Sequence, residues 1–100
     1  MKQEQFIQNG KINKSLVTFY NDLLKSNLLE QKGGFSITYK SISPDSKEAK
    51  IIIKEVDPIS KEFKGNYEVS FYQESDAFLY HIIGNSKENM EVLGEVFNSL

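Results

Sequence analysis

Residues 67–83, YEVSFYQESDAFLYHII, contain two short stretches rich in apolar side chains, separated by four polar residues. The first stretch has Tyr67, Val69 and Phe71 at alternate positions, a period of two that is typical of a β-strand with one polar face. The second stretch, residues 77–83, predicts another strand, and the polar residues 74–76 predict the turn between them. Because this connection is so short, we expect the two strands to pair antiparallel.

Two further strands are predicted upstream of this hairpin, at residues 35–40 and 49–54, where apolar and polar side chains again alternate. The sequence SPDS at residues 43–46 predicts a turn because its proline presets the backbone for the second turn position. Residues 57–65 predict a polar loop before the third strand. The short connections predict sequential pairing of four strands in a meander. The aromatic side chains assigned to the inward face are Phe35, Tyr39, Tyr67, Phe71, Phe78 and Tyr80.

Residues 12–31 have a helical period instead. Apolar side chains such as Leu16, Phe19 and Leu23 follow the i, i+3, i+4, i+7 spacing of an amphipathic helix. Asn13 or the pair Asn9–Gly10 would open this helix, and the pair Gly33–Gly34 would end it. Residues 2–8 are expected to form a short helical turn, with Phe6 and Ile7 covering the main helix.

The last helix is predicted to start at Asn85 or Ser86. With Asn85 as N-cap, Glu88 lies three residues on and can complete a capping box. Met90 and Leu93 begin its apolar stripe. The predicted fold is α+β: a two-layer sandwich in one domain over residues 1–100. It has a four-stranded antiparallel meander sheet with N- and C-terminal helices on one face, in the order α-β-β-β-β-α.

Composition restricts the function classes. The 100 residues include no cysteine, arginine or tryptophan and one histidine, His81, so most catalytic and metal-binding chemistry lacks its usual side chains. We therefore expect no enzymatic activity, no metal and no cofactor. The absence of arginine disfavours base readout in nucleic acid. Lysine used without arginine is typical of AT-rich bacterial or phage genomes. With no apolar leader and no membrane-length apolar run, the expected location is cytoplasmic.

The predicted fourth strand is apolar on both faces, which is typical of a strand inside a sheet, although a simple meander places it at an edge. On the face away from the helices this strand and its neighbours predict an apolar patch. Two interpretations stay open: a partner or homodimer interface, or a surface covered by residues 1–10 or 57–66. A different strand order would also explain it. His81 is interpreted either as a general base or as a hydrogen-bonded sheet residue. The patch consists of Ile52, Val56, Tyr72, Leu79, His81 and Ile83.

Acidic residues recur in and beside the predicted loops. They lack the spacing and the central glycine of an EF-type calcium loop, so they are interpreted either as contacts for a basic partner or as solvated surface. The predicted partner-binding set is Glu55, Asp57, Glu62, Glu68, Tyr72, Glu74 and Asp76.

The leading hypothesis is a non-enzymatic protein-binding module. Its small, mildly acidic, cysteine-free build resembles that of toxin-immunity proteins and phage-encoded inhibitors, a likeness of general shape. It implies an intracellular inhibitor that covers a toxin or a nucleic-acid-binding protein with its acidic loops and outer sheet face. One alternative is a dimeric chaperone or adaptor that uses the apolar face. Another is a small-ligand binder with a pocket between sheet and helices near Tyr39, Tyr67, Tyr80 and His81.

Overall fold

In the computed structural model, which describes residues 4–100, one antiparallel sheet of five strands packs against three helices. The order of strands across the sheet is β1-β5-β4-β3-β2. The α+β class and the sequential pairing of the four predicted strands are confirmed. The elements are β1 Phe6–Ile12, α1 Leu16–Lys25, α2 Leu28–Lys32, β2 Phe35–Ile42, β3 Glu48–Val56, β4 Phe63–Glu74, β5 Ala77–Gly84 and α3 Lys87–Ser99.

The predicted four-stranded sheet is wrong by one strand, β1. This strand pairs with β5 along its whole length, from Phe6 opposite Gly84 to Ile12 opposite Phe78. The predicted helical turn over residues 2–8 is therefore wrong for the described part, and its residues 2–3 lie outside the described range. Since β1 occupies the free side of β5, the strand that is apolar on both faces is interior to the sheet.

The long helix predicted over residues 12–31 is two helices. At α1, the N–H of Leu16 donates to Oε1 of Gln73 in β4, at 2.7 Å. Ser26 ends α1 with an extended backbone, ψ 151°, and its hydroxyl accepts from the N–H of Leu28, where α2 begins. A serine hydroxyl that bonds nearby backbone competes with helix continuation, which explains the break. The predicted stop is confirmed, because Gly33 directly follows α2.

The predicted helix openers are also corrected. Asn9 and Gly10 lie in β1, and the residue before α1 is Ser15. Before α3 the cap is Ser86, whose hydroxyl accepts from the N–H of Asn89 at 3.2 Å. Of the two predicted starts, Ser86 is therefore confirmed, whereas Asn85 donates its side-chain amide to the carbonyl of Lys64.

A register shift in β2 changes the face of one predicted core residue. Between Ile37 and Tyr39 the pairing with β3 skips a residue, so Tyr39 lies opposite Ile52 rather than on the helix side. The hydroxyl of Thr38, the extra residue, donates to the Ile52 carbonyl at 3.3 Å. Tyr39 is 49% exposed. A β-bulge inverts the alternation beyond it, which the period of two cannot reveal.

The core lies between the inward sheet face and the helices, as predicted. Phe19 of α1 is fully buried, with its ring centroid 4.6 Å from that of Phe78 and 5.5 Å from that of Phe97. Buried residues of α1, α2, α3 and all five strands form one cluster. Both predicted helical regions therefore cover the same face, and the opposite sheet face is not packed into this core.

Candidate binding face of the sheet

The outer face is the side of the sheet turned away from the helices. Strand pairing sets its side chains in cross-strand rows, with neighbours about 5 Å apart at Cβ, and three of these rows start in β1. The apolar row is Ile7, Ile83, Glu68, Ile52 and Tyr39. The middle row is Asn9, His81, Ser70, Lys50 and Ser41. The third row is Lys11, Leu79, Tyr72 and Glu48.

A groove of about 1020 Å³ runs over the middle and third rows. All five strands contribute to its lining, from Asn9 in β1 to Ser41 in β2. It is lined by the charged residues Lys11, Lys50 and Glu48. Two lysines against one glutamate make the groove locally cationic, whereas the whole chain has a formal net charge of −2.

The imidazole of His81 forms a hydrogen bond within the sheet that the sequence does not predict. Its Nδ1 lies 2.7 Å from Oδ1 of Asn9, directly across the β1–β5 pair. With the amide oxygen of Asn9 as acceptor, Nδ1–H is the donor in this hydrogen bond, and Nε2 is the ring nitrogen left for other partners. His81 is half-buried, in agreement with the hydrogen-bonded interpretation. Asn9 could not be found from sequence because its strand was not predicted.

The predicted apolar interface residues lie mostly together. Leu79, His81, Ile83 and Ile52 are on the outer face beside Tyr72, which is 52% exposed. Val56 is half-buried at the end of β3, where its N–H donates to the Gly34 carbonyl at 2.9 Å, and it does not line the groove. In the described residues β1 extends the sheet beside β5 and does not fold over this face.

The predicted acidic set does not form one surface. Glu68 lies on the outer face with Tyr72, whereas Glu74 and Asp76 are at the β4–β5 turn. Asp57 and Glu62 belong to the β3–β4 turn at the opposite end of β4. The 12 residues of β4 extend over about 36 Å, so the two turns are far apart.

Glu55, the remaining member, points to the helix side. Its Oε1 accepts from the side-chain amide of Asn89 at 2.9 Å, and the Tyr67 hydroxyl lies 3.4 Å away. Burial, together with the negative charge of Glu55, raises the pKa of Tyr67. These contacts tie β3 and β4 to α3. The pocket predicted between the layers is not formed by its four residues, because Tyr67 and Tyr80 are buried while Tyr39 and His81 lie on the outer side.

Asp57 stabilises the β3–β4 turn. Its Oδ1 accepts from the N–H groups of Ser60 and Ile59, each at 2.9 Å, and these two bonds lower the pKa of the Asp57 carboxyl. The ionised form is therefore favoured in the folded state. Its stabilising effect is present above the ordinary aspartate pKa, about 3.9, and is lost as the pH falls through the lowered folded value.

We expect Asp57→Ala to lower the midpoint of thermal unfolding at pH 7, and we expect the gap from the wild type to narrow below about pH 3. Thermal unfolding followed by circular dichroism from neutral to acidic pH measures this gap. Glu62→Ala is the matched control, because it removes one carboxylate from the same turn without removing these two hydrogen bonds. A gap that is unchanged at about pH 2 would contradict the assignment.

Within residues 4–100, no group of three or more potential metal-ligating side chains is placed to hold an ion. No helix of this part of the chain combines the length and the apolar character needed to cross a membrane. No family model fits the sequence, and no curated protein is significantly similar to it.

Proposed function

We propose that this chain is a non-enzymatic protein-binding module of the inhibitor or immunity type, which presents the outer face of its sheet to another protein. The observation that supports this proposal is the exposure of large apolar side chains on the face without helices. Four of them, Ile7, Tyr39, Tyr72 and Leu79, are 62%, 49%, 52% and 36% exposed. Partly exposed tyrosines beside aliphatic residues are typical of interface centres.

The dimensions of the outer face suit a protein element. Four strand spacings make it about 19 Å wide, and the seven residues of β1 give a length of about 20 Å at the narrow edge. An α-helix with its side chains is about 10–12 Å across, so the outer face is wide enough for one helix or one hairpin of a partner.

Two carboxylates on the central strand β4 support electrostatic steering of a basic partner. Glu68 lies between Ile83 and Ile52 in the apolar row, and Glu74 follows the third row at the end of β4. Carboxylates on an interface increase the association rate with a basic partner and make that rate sensitive to salt. Asp57 and Glu55 are engaged in the intramolecular contacts described above, so we assign partner binding to Tyr72, Leu79, Glu68 and Glu74.

Tyr72→Ala is expected to weaken capture of the partner at least tenfold, since removing a central interface tyrosine typically costs about 2 kcal/mol or more. Immobilised wild type and variant would be compared in lysate of the source organism, with bound proteins quantified by mass spectrometry. Val17→Ala, on α1 and 39% exposed, is the control from the other layer. A protein captured equally by all three baits is not bound through the outer face.

The same assay tests the two carboxylates, Glu68 and Glu74. Reversal at Glu68→Lys and Glu74→Lys should reduce capture at low salt and flatten its salt dependence. Glu91→Lys and Glu95→Lys, two exposed positions on α3, change the net charge equally on the other side of the molecule. Equal losses from both pairs would indicate a non-specific charge effect and contradict a role for Glu68 and Glu74 in partner binding.

A further inference from the structure

Two lysines, Lys11 and Lys50, line the groove. Lys11 on β1 and Lys50 on β3 are both exposed, and their strands are separated by three spacings, about 14 Å. An extended lysine side chain reaches about 6 Å from its backbone. Although Lys11 and Lys50 lie in adjacent rows, their side chains can both reach a common anion above β5 and β4 when they extend across the face.

The floor between these lysines offers fixed polar groups. Ser70 lies directly between Lys50 and His81 in the middle row. The bond from His81 Nδ1 to Oδ1 of Asn9 holds the imidazole, and in this tautomer Nε2 can accept a hydrogen bond. The Lys50 ammonium group, the Ser70 hydroxyl and the His81 imidazole thus belong to neighbouring positions that span about 10 Å.

The next row supplies an apolar wall. Tyr72 and Leu79 are opposite each other on β4 and β5, one step along the strands from Ser70 and His81. A small number of placed polar groups beside apolar side chains is the general pattern of small-molecule sites. Glu48, opposite Tyr72, stands at the far end of this wall and disfavours a second negative charge there.

We propose that the groove is a binding site for a small organic acid with one carboxylate and an apolar body. Lys50 and Ser70 hold the carboxylate, Lys11 adds positive charge, and the apolar body lies on Tyr72 and Leu79. A hydroxyl next to the carboxylate donates to Nε2 of His81. This site requires no protein partner and goes beyond the function proposed above.

The test is a titration of the ¹⁵N-labelled protein with three probes, followed by amide chemical shifts. Phenylacetate carries the charge and the ring, mandelate adds a hydroxyl beside the carboxylate, and phenylacetamide has the ring without the charge. We expect saturable shifts at Ser70, Tyr72 and His81 with millimolar dissociation constants for phenylacetate. Mandelate should bind about threefold more tightly, and phenylacetamide should cause no saturable shift.

Lys50→Gln should weaken phenylacetate binding about three- to tenfold, the effect of losing one exposed charge-assisted hydrogen bond. Lys25→Gln, in the last turn of α1, is the control and should leave the constant unchanged. The proposal is overturned by equal binding of phenylacetate and phenylacetamide, or by the absence of saturation at about 20 mM. Such a result leaves the protein-binding proposal standing, because that proposal is tested by the capture experiment with Tyr72→Ala.

Discussion

Phe19→Ala is expected to lower the free energy of unfolding by about 3–5 kcal/mol, the usual cost of removing a fully buried phenylalanine. The Phe19 ring stands at the centre of the aromatic core, with centroids 5.3 Å from Phe71, 4.6 Å from Phe78 and 5.5 Å from Phe97. The alanine variant would leave a cavity where the Phe19 ring now links α1 to the sheet and to α3. The total free energy of unfolding of a native protein is about 5–15 kcal/mol. The urea concentration at the midpoint of unfolding should therefore fall strongly in this variant.

Two companion variants keep this prediction testable even where the alanine variant does not fold. Phe19→Leu preserves much of the volume and should cost less than the alanine change, about 1–2 kcal/mol. Val17→Ala, two residues away on the exposed side of the same helix, should change stability by less than about 1 kcal/mol. Equal losses at positions 17 and 19 would mean that α1 does not pack through Phe19.

Gly84→Ala is expected to destabilise the protein by about 2–3 kcal/mol through overpacking. An ideal Cβ on Gly84 would lie 2.6 Å from Cε1 of Tyr67 and closer still to Cδ1. The ring has little freedom to withdraw, because Tyr67 is fully buried and its hydroxyl accepts from the Asn89 amide at 2.9 Å. The added methyl group would therefore disturb the joint between β4, β5 and α3.

Gly94→Ala provides the matched comparison at another buried glycine. There the Cβ would meet the amide nitrogen of Gln8 at 3.0 Å and the hydroxyl of Tyr80 at 3.1 Å, both at the ends of side chains. Helix propensity favours alanine over glycine by about 1 kcal/mol, which offsets the crowding. In urea unfolding, the Gly84→Ala variant should have a much lower free energy of unfolding than the Gly94→Ala variant. The reverse order would contradict the packing of Tyr67 against Gly84.

The sequence predicted the four strands from β2 to β5 because their inward positions are apolar at a period of two. It did not predict β1, whose inward positions are Phe6, Gln8, Gly10 and Ile12. A Cβ at position 10 would overlap the ring of Tyr80, so this inward position must be glycine. A contact with a distant residue therefore leaves β1 without the apolar side chain that would have indicated a strand. The one indication of a missing neighbour was the apolar character of both faces of β5.

The same limit applies to the candidate site. Outer-face positions on β4 and β5 followed from alternation, so Tyr72, Leu79 and His81 were placed together. The place of Asn9 on the outer face could not be predicted without β1. The outward position of Tyr39 follows from the bulge in β2, and that bulge depends on a pairing register that no local pattern encodes. The acidic residues were grouped by their proximity along the chain, whereas the length of β4 separates them in space.

The pairing of β1 with β5 joins parts of the chain 66 to 78 positions apart, from Ile12 with Phe78 to Phe6 with Gly84. Contacts of such high sequence separation are slow to form, because the loop entropy must be lost before the ladder compensates for it. The meander from β2 to β5 uses only short connections and can assemble first. Until β1 docks, β5 is a long apolar edge strand, so the interval before that docking is when this chain is most prone to aggregate during synthesis or refolding.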